Sequence, residues 1–430
     1  MTTAPVPTST PGSTASREVA RWVAEQVTPV RSIDLDAPHA DLAPLRDTVG
    51  DALVVGIGPS TYGAHEQFAL TCRIIRFLVE ELGFRSVATE DDWDKGVELN
   101  RYVQTGEGRL DELVSDAGVP WRTREVVALL EWLRGFNASH PDDPVQYLGV
   151  GVIDTRAPIY AAVEDYVGRT APDRLTQLRR HFAAIRPTRP DHLRWFFTEA
   201  EDKPALLQHA RQAYTLVEQL PQPAGDREHA LVLQHARQIL GFYEHMVEHL
   251  VDDGYRDRRM AESLRWWQEY TRHRIAYWST NAHSIRSAEL FISTPPRGTL
   301  TFTPTGHWLQ DWLGDRYVSV GLTFDSGTVN SGWAFPPFRP RPMPAGQLPA
   351  DFAEHALADV PGEHVLLTLP AEGAPPAVAD WLRAEAKTRV IGSIHAPDQP
   401  AEGFYLTGGS LAGWFDAVLH SRHVSPSQLL

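Results

Sequence analysis

Apolar positions recur along the chain with two alternating spacings. Leu53 to Ile57 is a run of β-formers that enters the turn Gly56-Ile57-Gly58-Pro59-Ser60-Thr61-Tyr62-Gly63, so a strand is expected there. Phe68, Ile74, Ile75, Leu78, Val79 and Leu82 then repeat at helical spacing, which predicts a helix over 68–82 stopped by Gly83. Arg85 to Thr89 predicts a second strand ending in Glu90-Asp91-Asp92-Trp93. Helices are predicted over 93–103 and 123–137, and Val145 to Val152 gives a third strand. Strand, helix, strand, helices, strand in this order predicts a right-handed parallel α/β unit.

Upstream, Arg17 to Val27 carries the apolar positions of a short helix, and a linker with Pro and Asp runs from Pro29 to about Leu45. Residues 1–16, rich in Thr, Pro and Ser, predict a disordered tail. From Ile159 to about Arg274 no strand pattern is found. Helical repeats fill the stretch, broken at Arg186-Pro187, Arg189-Pro190 and Leu220-Pro221-Gln222-Pro223. Residues 159–274 are therefore expected to be a helical insertion that caps the sheet like a lid, between core segments 17–158 and 275–430. Strand signals return at 275–278, 317–324, 364–369, 390–394 and 415–419, with a proline-rich surface loop over 336–349. The expected fold class is α/β: a three-layer core with a mixed, largely parallel sheet and the helical insertion.

Composition narrows the partners. At 430 residues, 42% hydrophobic and 22% charged, the chain suits a globular protein of two or three folding units. Its net charge of -15 argues against nucleic acid or an anionic membrane as partner. Cys72 is the single cysteine, which excludes an internal disulfide and suits a reducing compartment. No apolar run approaches the roughly 20 residues that span a bilayer, and the N-terminus lacks the basic end and apolar core of a signal peptide. A cytoplasmic protein with a small-molecule substrate is expected.

In open α/β folds ligands bind at the carboxyl ends of the strands. Thr61, Tyr62, His65 and Glu66 follow the first strand, Glu90 and Trp93 the second, and Thr280 and His283 the strand at 275–278. Glu66 and Glu90 are a candidate carboxylate pair, because burial can tune such groups to act as acid or base. The structural alternative is that Glu66 caps its helix and Glu90 pairs with an arginine. Tyr62, with an ordinary pKa of about 10, suits a proton donor or oxyanion clamp, or an aromatic plug. His283 suits a general base, against a satisfied core histidine. Arg73 and Arg256 are candidates to bind a substrate carboxylate or to pair with Glu90.

Other patterns carry less. His245-Met246-Val247-Glu248-His249 has zinc-ligand spacing, but it lies in an amphipathic helical stretch with no partner acid, so no metal is expected. Gly56-Ile57-Gly58 lacks the third glycine of a dinucleotide motif, and Gly408-Gly409-Ser410 lacks nucleophile-elbow spacing. No organic cofactor is expected. Trp195, Phe196, Phe197, Trp266, Trp267 and Tyr270 cluster in the helical stretch, mostly as core, with a few suited to line a cleft for a bulky polyketide or terpenoid ligand.

The order of these motifs resembles the erythromycin esterase family. Gly58, Ser60, Thr61, Gly63 and Glu66 keep the frame of its first turn, and Gly83-Phe84, Val87, Ala88 and Glu90 resemble its second strand. Arg256-Asp257-Arg258-Arg259-Met260-Ala261 is similar to its Arg-Asp-x-x-Met-Ala helix, and Trp278-Ser279-Thr280-Asn281-Ala282-His283 to its Trp-x-His-Asn-x-His element. Phe415-Asp416-Ala417 fits its final strand. The resemblance implies that Glu66, Glu90, Arg256 and His283 stand at matching site positions. Five positions depart from it: Pro59 stands for a Glu, Tyr62 for the water-activating His, Thr71 for an Arg, Thr280 for a His and Gly151 for an Asp.

Loss of the water-activating His shifts the expected chemistry. The leading expectation is a cofactor-independent enzyme of specialised metabolism catalysing a non-hydrolytic proton transfer: cyclisation, isomerisation, dehydration or intramolecular acyl transfer. Glu90 and His283 would move protons, Tyr62 would polarise, Glu66 would orient, and His65, Arg256, Thr280, Arg73 and Trp93 would contact substrate. The alternatives are ester or lactone hydrolysis with a replacement base, and a catalytically dead metabolite-binding protein.

Overall fold

The computed structural model describes residues 14–189, 192–221, 225–250, 253–295, 297–334, 339–369 and 373–430. Most of the expected N-terminal tail, the helix breaks at Pro190 and Gln222-Pro223, and part of the 336–349 loop lie outside these residues. The first strands are β1 (Thr28–Val30), β2 (Val54–Pro59), β3 (Ser86–Asp92), β4 (Gln146–Gly151) and β5 (Ile275–Trp278). Then come β6 (Leu290–Thr294), β7 (Gly298–Phe302), β8 (Tyr317–Ser331), β9 (Arg341–Pro344) and β10 (His364–Thr368). The last are β11 (Thr388–Arg389), β12 (Tyr405–Thr407) and β13 (Ala417–Val424).

The main sheet has the order β1-β10-β13-β8-β2-β5-β3-β4, with β9 paired to β8. From β13 to β4 every neighbour is parallel, and β10 and β1 close one side antiparallel. β11-β12-β6-β7 form a second, antiparallel sheet. β5 comes late in the chain yet sits between β2 and β3, so the first three strands are not one contiguous unit.

Before β4 the helices are α1 (Thr14–Gln26), α2 (Leu45–Val49), α3 (His65–Leu82), α4 (Trp93–Thr105), α5 (Leu110–Ser115) and α6 (Arg124–Ser139). α3 ends as its sequence dictates: Gly83 takes φ 71°, and Phe84 N–H reaches Leu78 O at 3.0 Å. Between β4 and β5 run α7 (Ala157–Thr170), α8 (Pro172–Ile185), α9 (His192–Thr198), α10 (Lys203–Glu218), α11 (Arg227–Glu248) and α12 (Asp253–Thr271). Short helices α13 (Asn281–Ser284), α14 (Thr305–Leu313), α15 (Pro376–Arg383) and α16 (Leu411–Trp414) follow.

The sheet separates two cores by strand alternation. Ala276 and Trp278 of β5 face α3 and α6, joining Phe68, Ile75, Leu130 and Leu133. Ile275 and Tyr277 face the other way, joining Val163, Phe182, Phe242 and Leu264 of the α7–α12 run. That run, expected as a lid on the carboxyl edge, thus packs its apolar residues onto one face of the sheet. Among the described residues no helix is long and apolar enough to cross a membrane.

Several elements differ from the sequence reading. The expected Pro29–Leu45 linker contains part of edge strand β1, and the proline-rich loop contains β9. The apolar run 390–394 is not a strand. Ile391 makes one bridge, to Thr61, and is buried with Ala64, Phe324 and Val329 instead of in a ladder. The last strand begins at Ala417, because Phe415 lays its ring over Gly321 and Asp416 Oδ2 accepts Ser319 N–H at 2.8 Å.

The glycines of β2 have a packing task. A Cβ at Gly58 would stand 2.2 Å from Ser284 Oγ and 2.8 Å from Asn281 N, and one at Gly56 would meet Tyr317 Oη at 2.3 Å. Bare backbone lets α13 lie directly on β2. Gly58→Ala is expected to push α13 off the sheet and lower unfolding stability by about 1–3 kcal/mol in urea titrations. An unchanged midpoint would refute this packing role.

Candidate active site

Three adjacent parallel strands end at one level. Ile57 of β2 pairs with Trp278 of β5, and Trp278 pairs with Thr89 of β3. Just beyond that level lie Tyr62, Thr280 with His283, and Glu90. The β3–β4 register shifts between Thr89 and Asp92, a bulge that re-aims Glu90. Gly151 opposite fits this bulge, since a Cβ there would meet Glu90 O at 2.6 Å. α12 brings Arg256 and Asp257 to the same place.

The buried Asp257 carboxylate organises the group. Its Oδ1 accepts from Thr305 N at 2.8 Å, Thr305 Oγ1 at 2.9 Å and His283 Nδ1 at 2.9 Å. Arg256 Nη2 donates to His283 Nε2 at 2.7 Å. A guanidinium only donates, so His283 here carries its proton on Nδ1 and presents a lone pair at Nε2. Glu90 Oε2 lies 3.6 Å from that Nε2, and Glu90 Oε1 lies 4.0 Å from Arg256 Nη2. Burial lowers the His283 pKa, but the Asp257 and Glu90 carboxylates outweigh it and leave the value raised. The side chains of Glu90, His283 and Arg256 are 11%, 14% and 23% exposed, so solvent reaches the group.

Tyr62 anchors its ring between Trp121 at 5.3 Å and Phe68 at 6.2 Å. Burial first, and the Glu90 carboxylate second, push its phenol well above the ordinary range, so it stays protonated. The Tyr62 phenol approaches the Glu90 carboxylate, which helps hold its proton, although neither Tyr62 Oη nor Glu90 Oε2 has a hydrogen-bond partner in good alignment among the described residues. The group therefore holds an imidazole with its lone pair at Nε2, a protonated phenol, a guanidinium and a buried carboxylate oxygen.

Comparison with known proteins gives the family of the chain. A family model described as erythromycin esterase matches residues 79–424. The chain belongs to the erythromycin esterase family. Escherichia coli erythromycin esterase type II is 24% identical over 334 residues, 71% of this chain and 77% of that protein. A Bacillus cereus protein of solved structure superposes with a TM-score of 0.83 at 24% identity, covering 96% of this chain and 99% of its own. A mutant of the erythromycin esterase EreC in its open conformation gives 0.71 at 16% identity, covering 94% and 99%. These likenesses show a shared fold. The family match begins after the first turn, where Pro59 and Tyr62 stand.

Within this erythromycin esterase fold, the structure groups Glu90, His283, Arg256 and Tyr62, with Thr280 accepting His283 N–H at 2.9 Å as the cap of α13. The other candidates have hydrogen-bond partners outside this group. Glu66 accepts from Ser425 N at 2.7 Å and Ser425 Oγ at 2.6 Å, so its partners differ from those of Glu90. His65 Nδ1 meets Glu125 Oε1 at 2.6 Å, and the same oxygen accepts Gln428 N–H at 3.0 Å. Together these bonds tie residues 425–428 along the first turn. Arg73 is corrected: its guanidinium is bonded to Asp41, Pro38 O and Ser32 O of the N-terminal segment, because a buried cation is tolerated only beside an anion and other acceptors. Trp93 is also corrected: it packs against Trp266 and Trp267 and donates to His235 Nδ1 at 2.9 Å.

Sequence reading missed Asp257 and Thr305 as site members. Asp257 lay within the quoted Arg-Asp motif, and its adjacency to Arg256 was the available signal. The neighbouring acids support the bulge. Asp91 accepts from Gly118 N, Asp92 from Ile153 N, and burial raises Asp91 to about 6 and Asp94 to about 8.

Removing the Asp257 carboxylate leaves Thr305 N–H and His283 Nδ1 without an acceptor. Asp257→Ala is expected to lower stability by about 3–5 kcal/mol, measured by urea unfolding. A loss under about 1 kcal/mol would contradict the organising role. The His65–Glu125 pair gives a pH signature. Its hydrogen bond to Glu125 raises the His65 pKa despite partial burial, so the protonated pair stabilises the fold fully below about pH 6.5. That contribution fades as pH rises through the folded-state value. The stability gap between the native chain and His65→Gln should therefore shrink from about pH 6 to about pH 9; a gap that widens would overturn the assignment.

Proposed function

We propose that this chain is a hydrolase-type enzyme that cleaves an ester or lactone with His283 as the base. One observation carries the reading: Asp257 fixes Nδ1–H, leaving Nε2 as the lone-pair nitrogen beside Glu90. A triad-like support of this kind makes an imidazole a competent base near neutral pH. As the substrate carbonyl draws Arg256 off Nε2, the freed lone pair takes the proton of an attacking water while Glu90 orients that water. Tyr62 Oη–H donates to the carbonyl oxygen as it gains charge, and Arg256 adds a positive charge beside it. The family membership supports a hydrolytic reaction, and a macrolide lactone is the first substrate class to test.

A second reading is favoured by Tyr62. A buried phenol held protonated beside a base forms an acid–base pair that works without water. The same residues then serve a cyclisation, isomerisation, dehydration or intramolecular acyl transfer on a bulky polyketide-like metabolite, with Pro59 in place of an acid at the first turn.

Incubation of the full chain with macrolides and polyketide extracts in ¹⁸O-water, followed by mass spectrometry, separates the two. Gain of one labelled water is expected for hydrolysis, whereas unchanged mass with shifted retention, or loss of water, supports the second reading. His283→Ala is expected to lower kcat by roughly 10²–10⁴-fold in either case. Turnover unaffected by this change would sink both.

A further inference from the structure

The Arg256–His283 contact implies more than a base. It exists only while Nε2 is unprotonated, because the guanidinium has no acceptor to offer. The other neighbour of Nε2 is Glu90 Oε2, a buried oxygen without a hydrogen-bond partner among the described residues. Glu90 Oε1 in turn lies within 4.0 Å of Arg256 Nη2. The Arg256 Nη2 group thus has two acceptors near it, the imidazole Nε2 has two neighbours, and a proton on Nε2 removes it from the acceptors open to Arg256.

We propose that Arg256 and His283 form a two-position switch in which Arg256 passes from Nε2 to the reacting oxygen as Nε2 takes a proton and turns to Glu90. With His283 neutral, Arg256 caps Nε2. A bound substrate oxygen first draws the guanidinium off Nε2 and frees its lone pair; the O–H bond of water or substrate then breaks, its electron pair stays on oxygen and a new N–H bond forms at Nε2. The imidazolium N–H then donates to Glu90 Oε2. With Nε2 protonated, Arg256 has no acceptor to return to, and it stays paired with the oxygen that has become negative. Total charge is unchanged by the step. This rests on His283 being the base, and it names the ligand the site holds best: one bearing an anionic oxygen, such as a carboxylate product.

The groups facing His283 are Asp257 and Arg256 from α12, Glu90 from β3 and the Phe302 ring at 5.8 Å from β7, with Tyr62 and Tyr277 flanking Glu90. Burial and Arg256 disfavour the imidazolium, and the two carboxylates favour it.

The switch is read without substrate, by NMR titration of the full chain labelled in its histidines, with His283 assigned against His283→Gln. The native protein is expected to show the Nδ1–H tautomer at high pH. Arg256→Gln should raise the His283 pKa by about half a unit or more, and Glu90→Gln should lower it by a similar amount. Arg256→Lys, which keeps a cationic donor, should titrate close to the native protein and serves if the glutamine variant fails to fold. An Nε2–H tautomer in the native protein, or an unchanged pKa in Arg256→Gln, overturns the switch. If instead the glutamine variant does not fold, a lysine variant that loses the Nδ1–H tautomer overturns it. Retained switching in a protein with no turnover would sink the base reading alone. Turnover with no Arg256 effect would sink the switch alone.

Discussion

A buried carboxylate, Asp257, is the constraint on which the site depends. A charge removed from water is tolerated only if its lone pairs are answered, and here they are met by Thr305 at the start of α14 and by His283 in α13. The first N–H of a helix is a favourable partner for an anion. Because Asp257 belongs to α12, the end of the helical run is locked to the sheet edge and to two later segments at once. The same bond that satisfies the charge also fixes the histidine tautomer. Stability and the proposed chemistry therefore share one interaction.

The strand frame supplies the rest of the geometry. β5 enters between β2 and β3, so residues far apart in the chain reach one edge side by side. The bare backbone of Gly56 and Gly58 lets α13 sit on β2, and the bulge in β3 turns Glu90 toward it. Gly151 belongs to this account: it stands where family members often carry an Asp, and a side chain there would press on the bulged backbone. The first turn has a different occupation. Its buried Tyr62 faces the site, while His65 and Glu66 hold residues 425–428 against it. Polar residues of this turn are thus used for attachment, and the proposed chemistry falls to Tyr62.

The sequence by itself determined what depends on local periodicity and turn chemistry. The β2 run, the α3 stripe with its Gly83 cap, the strand ends carrying Tyr62, Glu90 and His283, and the strandless stretch before β5 were all legible. Their signals lie within a turn or a strand of the residue concerned. Family-like letters at Arg256 and His283 extended that reading to the edge of the sheet.

Tertiary structure alone decided which of those residues meet. Nothing local says that β5 separates β2 from β3, that Glu66 is bonded to a serine 359 residues away, or that Arg73 is used up by the segment at 32–41. Apolar residues at 390–394 looked like a strand because burial leaves the same composition whether or not a ladder forms. Asp257 was invisible as an organiser for the same reason. An acid in a helix reads as surface until its partners arrive from other elements, and long-range packing is what brings them.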